Sequence, residues 1–451
     1  MAGWGSPLEL LREELVQRRW DGCGVPDDLA ARIAALPAER QWDEQAVGPL
    51  YQELVQLPGD AGLETNEPND LDAIRALRPA EPQALHWGLS TDQLLDRIHG
   101  AWTARAAGCA LGKPVEELSL GLGPGEGRLA IRRLLEASGD WPLSDYFSAA
   151  AAGPGLELGS PRSQRENVIE MEPDDDIHYT LAALGVLEWK GLDFDWRDVA
   201  TWWLAHIPTL YICTAEAQAV LNLQQVTRRG LGGAPTPEFT RGHRNPYREW
   251  IGAQIRADGW AWACAGNPEL AAELAWRDAR WTHERNGIYA EMFMAAMQAA
   301  AFVLDEPTAI IEAGLSQVPR DSRLAVAVRD LLSAMTGLTG WEQAMAWVEA
   351  RYPDMSAVHS VNNALACVVA LVHGAMDPVR SITTAVMCGL DTDCNGASVG
   401  SIVGAAVGRS RLSGTLFERL NDRVRAAVTG FDDVTMTELA QRTAAHWWGR
   451  R

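Results

Sequence analysis

Residues 388–408 read CGLDTDCNGASVGSIVGAAVG, in which two aspartates precede a helix-compatible run of small residues. Glycine recurs there at positions 396, 400, 404 and 408. A spacing of four places these glycines on nearly one stripe of a helix, although each costs about 1 kcal/mol in a helix interior. The pattern therefore predicts a helix whose bare stripe lets another backbone approach closely. A membrane dimer is the competing interpretation, but the segment is short and follows acids.

A second acid cluster lies far earlier in the chain, where residues 172–181 read EPDDDIHYTL and introduce an apolar helix. Helix capping is the simpler explanation, because acids satisfy free amides at a helix N-terminus and favour its dipole. One aspartate is enough for that role, however, and three adjacent ones repel each other unless a cation screens them. Two such remote clusters predict a metal site, and oxygen ligands suit Mg²⁺ first, then Mn²⁺ or Ca²⁺.

Bulk composition excludes several classes of function. The formal net charge of −21 at pH 7 argues against a long nucleic-acid contact or an anionic membrane surface, which need a Lys/Arg-rich face. No run of eighteen apolar residues is present, so no membrane span is expected. The seven cysteines are odd in number and none are spaced C-x-x-C, which indicates reduced thiols of a cytoplasmic protein.

The chain divides into two parts by pattern. Residues 1–88 read as a helical N-terminal extension of unknown role, and residues 89–451 as an all-helical domain of roughly a dozen helices. Ser90 with Gln93 predicts a capped helix start. Residues 117–168 carry many Gly, Pro and Ser and predict an irregular insertion or lid.

Three segments resemble the ADP-ribosylglycohydrolase family, which includes the dinitrogenase reductase-activating glycohydrolases. They are GCALGKPVE at 108–116, DDDIHYTL at 174–181 and DTDCN at 391–395, and their order is that of the family. The resemblance covers roughly residues 90–410. Segments 286–289 (NGIY) and 359–363 (HSVNN) also resemble bacterial members, less specifically.

The resemblance implies a compact, orthogonal multi-helix, all-α domain with two Mg²⁺ ions in a central cleft, which Mn²⁺ can replace. The metal ligands that it implies are Asp174, Asp175, Asp176, Asp391 and Asp393. Asp393 is expected to lie between both ions. The substrate-binding residues that we predict are Gly112, Asn286, Gly287, Tyr289, His359 and Asn395.

Three catalytic roles are expected. Glu116 is the candidate for a gating or acid–base carboxylate, while Asp175 and Asp393 stabilise an oxocarbenium-like transition state. The alternative for Glu116 is a solvated residue after a helix, and the alternative for His359 is a hydrogen-bonded core or surface histidine.

The sequence also departs from the family pattern at three positions. Asp174 stands where the family has Thr, Ser or Gly, Cys109 replaces an Asp, and Cys394 replaces a Thr that ligates metal in the family. These departures bear on one metal site and on the substrate class.

The expected activity is hydrolysis at the anomeric carbon of an ADP-ribosyl group, carried by a small molecule or by an ADP-ribosylated protein. Two alternatives remain open: a metal-dependent glycosidase for another ribosyl- or pentosyl-type substrate, and a non-catalytic protein that binds ADP-ribose or a partner. The sequence does not select the scissile linkage or the oligomeric state.

Overall fold

The computed structural model describes residues 5–79, 85–151, 153, 156–229 and 234–448. The first part contains five short helices, α1–α5: Pro7–Trp20, Asp27–Ala34, Glu44–Val55, Ala61–Asn66 and Leu71–Ala76. The next nine, α6–α14, are Thr91–Leu122, Glu126–Ser138, Asp175–Lys190, Trp196–His206, Thr214–Arg229, Pro237–Gly242, Ala257–Ala263, Pro268–Ala279 and Asn286–Ala301.

The remaining helices, α15–α22, are Pro307–Leu315, Arg323–Met335, Trp341–Arg351, Ser360–Gly374, Pro378–Met387, Thr392–Val407, Thr415–Glu418 and Met436–Ala445. Among the described residues there are also six 3-10 turns: Ala38–Arg40, Ala149–Ala151, Pro161–Ser163, Thr209–Tyr211, Gln254–Arg256 and Arg409–Arg411. Two strands, β1 (Arg423–Arg425) and β2 (Asp433–Thr435), pair antiparallel with Val424 opposite Val434. The predicted all-α class is confirmed.

Helices α6 and α20 form the centre of the molecule, and their backbones touch. A Cβ added to Gly108 of α6 would lie 2.0 Å from the carbonyl oxygen of Gly396, and one added to Gly400 would lie 2.2 Å from that of Ala104. Such distances are shorter than any real Cβ contact, so only glycine fits there. The predicted close approach along the glycine stripe is confirmed, except that Gly408 lies just beyond α20 with a φ of 81°.

The ends of α6 differ in how well the sequence predicted them. Ser90 and Gln93 form the predicted capping box at its start, in which each side chain bonds to the other's backbone N–H. The prediction of irregular structure over 117–168 is wrong in its first part, because α6 continues to Leu122 and α7 covers Glu126–Ser138. The apolar spacing of α7 (Ala130, Ile131, Leu134, Leu135 all buried) outweighs its nearby glycines.

The N-terminal helices pack on one another and on the rest of the chain. Leu8 and Leu11 of α1 meet Leu50 and Leu54 of α3 in a small apolar cluster of their own. Leu10 points the other way and packs against Tyr247 and Trp250 of the main body. The described residues of this part, 5–79 and 85–88, therefore share a surface with the larger part, and the domain boundary at residue 88 stays a proposal.

Within the residues described, none of the helices combines the length and the apolar character that a membrane crossing requires.

Candidate metal and catalytic site

The predicted acids come together where the N-termini of α8 and α20 meet one face of α6. Asp174 caps α8 by accepting a hydrogen bond from the backbone N–H of Asp176 at 2.9 Å. Asp391 precedes α20, and Asp393 lies in its first turn. Gly112 of α6 lets the α20 start approach, because a Cβ there would lie 2.3 Å from the backbone nitrogen of Asp393. The two clusters thus meet against α6, although they are far apart in sequence.

The acid side chains form two overlapping groups of possible ligands. In the first group, one ligand atom from each of Cys109, Asp174, Asp176 and Asp393 lies within 4.8 Å of the others. In the second group, Asp391, Asp393 and Cys394 meet the same condition. Asp393 is common to both groups, and every member is buried.

The carboxylate oxygens of this cluster lack enough partners in the protein. Asp176 Oδ2, Asp391 Oδ1 and Asp393 Oδ1 are buried without a hydrogen bond from any described residue. Buried polar atoms are almost always paired, and an unpaired one costs about 1–3 kcal/mol. Asp391 and Asp393 also bring carboxylate oxygens within 4.8 Å of each other, where two negative charges repel. A bound cation would satisfy the unpaired oxygens and offset this repulsion, so the residues fit a divalent ion.

The pKa values of the clustered acids also favour a bound cation. Burial, followed by the negative charge of neighbouring acids, raises the pKa values of Asp175, Asp391 and Asp393. Burial also raises the pKa of Asp176, and Arg105 opposes that shift only in part. Carboxyl groups whose pKa values are raised together hold unfavourable charge that a cation would neutralise.

Two protein cations contact the cluster on one side. Lys113 Nζ lies 2.6 Å from Asp174 Oδ2, and Arg105 Nη2 lies 3.2 Å from Asp176 Oδ1. Arg105 is fully buried and also pairs with Asp258 at 2.9 Å. Neither cation is among the site residues predicted from sequence. The spacing of Cys109, Lys113 and Glu116, at i, i+4 and i+7 of one helix, is the signal that could have found Lys113.

Glu116 lies inside α6 and is half-buried, so the alternative of a solvated residue after a helix does not hold. The charge of Asp393, then burial and the charge of Asp391, raise the pKa of Glu116 well above its usual range. Asp175, the first residue of α8, is half-buried and belongs to neither ligand group within the part of the chain described.

The predicted substrate-binding residues separate into two sets. Gly112 and Asn395 lie at the acid cluster, where Asn395 Nδ2 donates to Asn363 Oδ1 at 2.8 Å. Asn363 Oδ1 also accepts from the backbone N–H of Asp391 at 3.2 Å, so this side chain holds the α20 start in place. Asn363 is not among the site residues predicted from sequence, because no local spacing links it to residue 391.

Asn286, Gly287, Tyr289 and His359 lie against the N-terminal helices instead. Asn286 Nδ2 donates to Glu67 at 2.9 Å, and the Tyr289 hydroxyl donates to the carbonyl oxygen of Pro68. Gly287 packs on Arg248, where a Cβ would lie 2.5 Å from its carbonyl oxygen. His359 caps α18 by accepting from the N–H of Val361 at 3.2 Å. The structure does not bring this set to the acids.

Comparisons with known proteins give one family. The family model described as ADP-ribosylglycohydrolase matches residues 90–450. No curated protein sequence matches the chain significantly. Among solved structures, a chain titled as an ADP-ribosylglycohydrolase-related protein complex is 20% identical at a TM-score of 0.49, with 80% of this chain and 100% of that chain covered. The range that the family model matches contains every residue of both ligand groups.

Proposed function

Because the chain belongs to the ADP-ribosylglycohydrolase family, we propose that it hydrolyses the bond at the anomeric carbon of an ADP-ribosyl group with the help of Mg²⁺. The observation that carries this proposal is the meeting of the α8 and α20 N-termini, which leaves buried oxygens of Asp176, Asp391 and Asp393 without partners. Carboxylate oxygens favour a hard cation, so Mg²⁺ is the proposed ion and Mn²⁺ its expected substitute. The family resemblance implies two ions per chain.

The ligands proposed for the metal are Asp174, Asp175, Asp176, Asp391 and Asp393. When bound, a divalent ion here would orient ribose hydroxyls and stabilise developing charge. Burial of this cluster keeps bulk water away, which strengthens each electrostatic interaction with a substrate. Gly112 and Asn395, which adjoin the acids, are the proposed contacts to the sugar.

Glu116 is the proposed acid–base group. Its raised pKa, caused first by Asp393 and then by burial, favours the protonated carboxyl at pH values where exposed glutamates are ionised. A protonated carboxyl can give its proton to the leaving atom as the glycosidic bond breaks. Asp175 and Asp393 are the proposed carboxylates that stabilise positive charge on the ribose ring in the transition state.

The proposed substrate is an ADP-ribose-bearing small molecule or an ADP-ribosylated protein. A glycosidase for another pentosyl-type substrate is the second candidate. The thiols of Cys109 and Cys394 and the ammonium of Lys113 make this site different from one that offers oxygen ligands alone. The seven free thiols support a reducing compartment such as the cytoplasm as the proposed location.

The test is hydrolysis by the purified full chain. ADP-ribosyl-arginine, ADP-ribosyl-serine, O-acetyl-ADP-ribose and simple pentosides are each incubated with Mg²⁺, with chelator, and with chelator followed by Mn²⁺. We expect release of free ADP-ribose from at least one of the first three, loss of turnover in chelator and recovery with Mn²⁺. Turnover of pentosides alone would favour the second candidate. Binding of ADP-ribose without any turnover would instead identify a non-catalytic binder.

A further inference from the structure

The chain contains two lysines, and one of them lies in the acid cluster. Lys113 and Lys190 are the only lysines among 451 residues, whereas arginine supplies the other positive side chains. Lys113 Nζ lies 2.6 Å from Asp174 Oδ2 and 3.2 Å from the carbonyl oxygen of Pro173. Its side chain is 10% exposed. A compact ammonium is therefore held among carboxylates, where it acts as a point charge.

The two ligand groups differ in the positive charge that the protein supplies. In the first group, Asp174 pairs with Lys113, and Asp176 pairs with Arg105. In the second group, no ion pair to Asp391 or Asp393 is formed by any residue that the structure describes, and both keep an unpartnered Oδ1. Side chains of the protein thus supply positive charge next to Asp174 and Asp176, whereas Asp391 and Asp393 have no such ion-pair partner among the described residues.

The ligand atoms on the Lys113 side also suit a hard ion less well. Asp174 Oδ1 already accepts the N–H of Asp176, and Oδ2 already accepts the Lys113 ammonium. Of the other members of that group, Asp176 pairs with Arg105 through Oδ1 and keeps only Oδ2 without a partner. Cys109 offers a thiol, and sulfur is a poor ligand for Mg²⁺. An ion bound there would share Asp174 with the Lys113 ammonium, and like charges at such short range repel strongly.

We propose that the Lys113 ammonium takes the place of one divalent ion, so that the chain binds a single Mg²⁺ at Asp391 and Asp393. The inference rests on the proposed metal-dependent function but departs from the two ions that the family resemblance implies. Lys113 then supplies fixed positive charge on the α8 side of the site, and the bound ion supplies it on the α20 side.

The number of bound ions tests this inference without any activity measurement. The full chain is saturated with Mg²⁺ or Mn²⁺, and ions per chain are counted by calorimetric titration and elemental analysis. We expect one ion for the natural chain and two for Lys113→Met, which keeps the length of the side chain and removes its charge. Lys190→Met is the matched control, because Lys190 pairs with Asp198 away from the cluster. Both Lys190→Met and Lys113→Arg should bind one ion.

Each outcome separates the inference from the proposed function. Two ions in the natural chain, or one ion in Lys113→Met, would overturn the role of Lys113 while leaving metal dependence intact. No ion in any variant would overturn the proposed metal-dependent function as well. If Lys113→Met does not fold by circular dichroism, Asp174→Asn in the otherwise natural chain decides the matter. We expect that change to alter the affinity of the single ion by less than about tenfold, and complete loss of the ion would overturn the inference.

Discussion

Asp174 and Asp391 are both buried aspartates at helix N-termini, yet their surroundings shift their pKa values in opposite directions. Burial favours the neutral form of Asp174, but the Lys113 ammonium and the backbone N–H of Asp176 outweigh it, and its pKa is lowered. Burial and the charge of Asp393 raise the pKa of Asp391 well above its usual range. Neighbouring charges, rather than residue type, thus set the direction of the pKa shift at each of these two carboxyl groups.

Asp393 should be the acid whose loss weakens metal binding most. It is the one residue that belongs to both ligand groups formed by the described residues, so Asp393→Asn removes an oxygen from each. Loss of a residue that only hydrogen-bonds to a metal ligand typically lowers metal affinity by roughly 10- to 100-fold. We expect the Mg²⁺ affinity of Asp393→Asn to fall by more than that, because Asp393 is itself a proposed ligand. Calorimetric titration of Asp393→Asn and Asp391→Asn measures the difference. A larger loss in Asp391→Asn would show that Asp393 is not the shared ligand.

Glu116→Gln should lower turnover while leaving the metal in place. Glutamine keeps the shape of the side chain but cannot give or take a proton, which commonly costs 10²- to 10⁴-fold in rate. Glu117→Gln is the matched control, because Glu117 is the adjacent residue and its side chain is exposed. Turnover and bound metal are measured in both variants. Loss of metal in Glu116→Gln would make Glu116 a ligand rather than an acid–base group.

The acids could be predicted from sequence, whereas their partners could not. Consecutive aspartates before a helix form a local sequence pattern, and the glycine stripe of α20 predicts close packing against another backbone. Arg105 and Asn363 carry no such pattern, because they reach Asp176 and Asp391 only through the tertiary fold. Resemblance also grouped Asn286 and His359 with the site, although the structure places them against the N-terminal helices.

At the scale of elements, the contact between α6 and α20 positions the acid cluster. Thr392 Oγ1 donates to the carbonyl oxygen of Gly112 at 2.9 Å, which fixes the start of α20 on α6. The glycines that follow continue the backbone contact, at Gly108 with Gly396 and at Gly100 with Gly404. A change in the spacing of these two helices would therefore move Asp393 relative to Glu116.

Gly108→Ala should destabilise the protein because its methyl group has no room. The new Cβ would lie 2.0 Å from the carbonyl oxygen of Gly396, so one helix must shift. Overpacking of this kind costs about 1–3 kcal/mol or more. Gly121→Ala in the same helix is the control, since nothing lies within 4 Å of its Cβ position, and alanine there should add up to about 1 kcal/mol. Chemical denaturation measures both, and equal stabilities would refute the packing argument.

The N-cap of α18 should make folding stability depend on pH. Burial lowers the pKa of His359 to about 4, and its neutral Nδ1 accepts the N–H of Val361. The unfolded chain, with a histidine pKa of about 6.5, binds the proton more readily, so stability is full above about pH 6.5 and falls as pH drops toward 4. The upper limit of this contribution is roughly 3 kcal/mol.

His359→Asn provides the measurement, because asparagine is a good N-cap and does not titrate. The free energy of unfolding of both proteins is compared at pH 7.5 and pH 5. The natural chain should lose more stability than the variant across this interval. Equal losses would mean that His359 is already protonated in the folded state or that its ring is not buried.

At the scale of the whole molecule, buried ion pairs join the N-terminal helices to the main body. Arg248 pairs with Glu14 at 2.8 Å and with Asp21 at 2.9 Å, and these partners are more than 200 residues apart in sequence. Gln17 Nε2 donates to Glu249 at 2.7 Å. Such pairing leaves no local sequence pattern, which is why the sequence predicted an extension of unknown role and not its mode of attachment. We propose that residues 1–88 fold together with the larger part.

Glu67→Ala should test that cooperation most directly. Glu67 is 2% exposed and accepts hydrogen bonds from Asn286 at 2.9 Å and from the Arg323 guanidinium at 2.7 Å. Its removal leaves Arg323 with Glu249 as its remaining carboxylate partner, so the cost should stay below the roughly 3–5 kcal/mol that follows when a buried charge loses its partner completely. If the N-terminal helices and the main body unfold as one unit, the single denaturation transition should shift as a whole to lower denaturant concentration.

Glu53→Ala is the matched control for Glu67→Ala. Glu53 pairs with Arg32 entirely within the N-terminal helices, and both side chains are about half exposed, so the change should cost less than about 1 kcal/mol. Tryptophan fluorescence follows mainly the larger part, which holds 15 of the 19 tryptophans, and limited proteolysis followed by mass spectrometry follows residues 5–79. If Glu67→Ala releases the N-terminal helices to protease while the fluorescence transition stays unchanged, then the two parts unfold independently. In that case residues 1–88 are an appended module rather than a part of one cooperative fold.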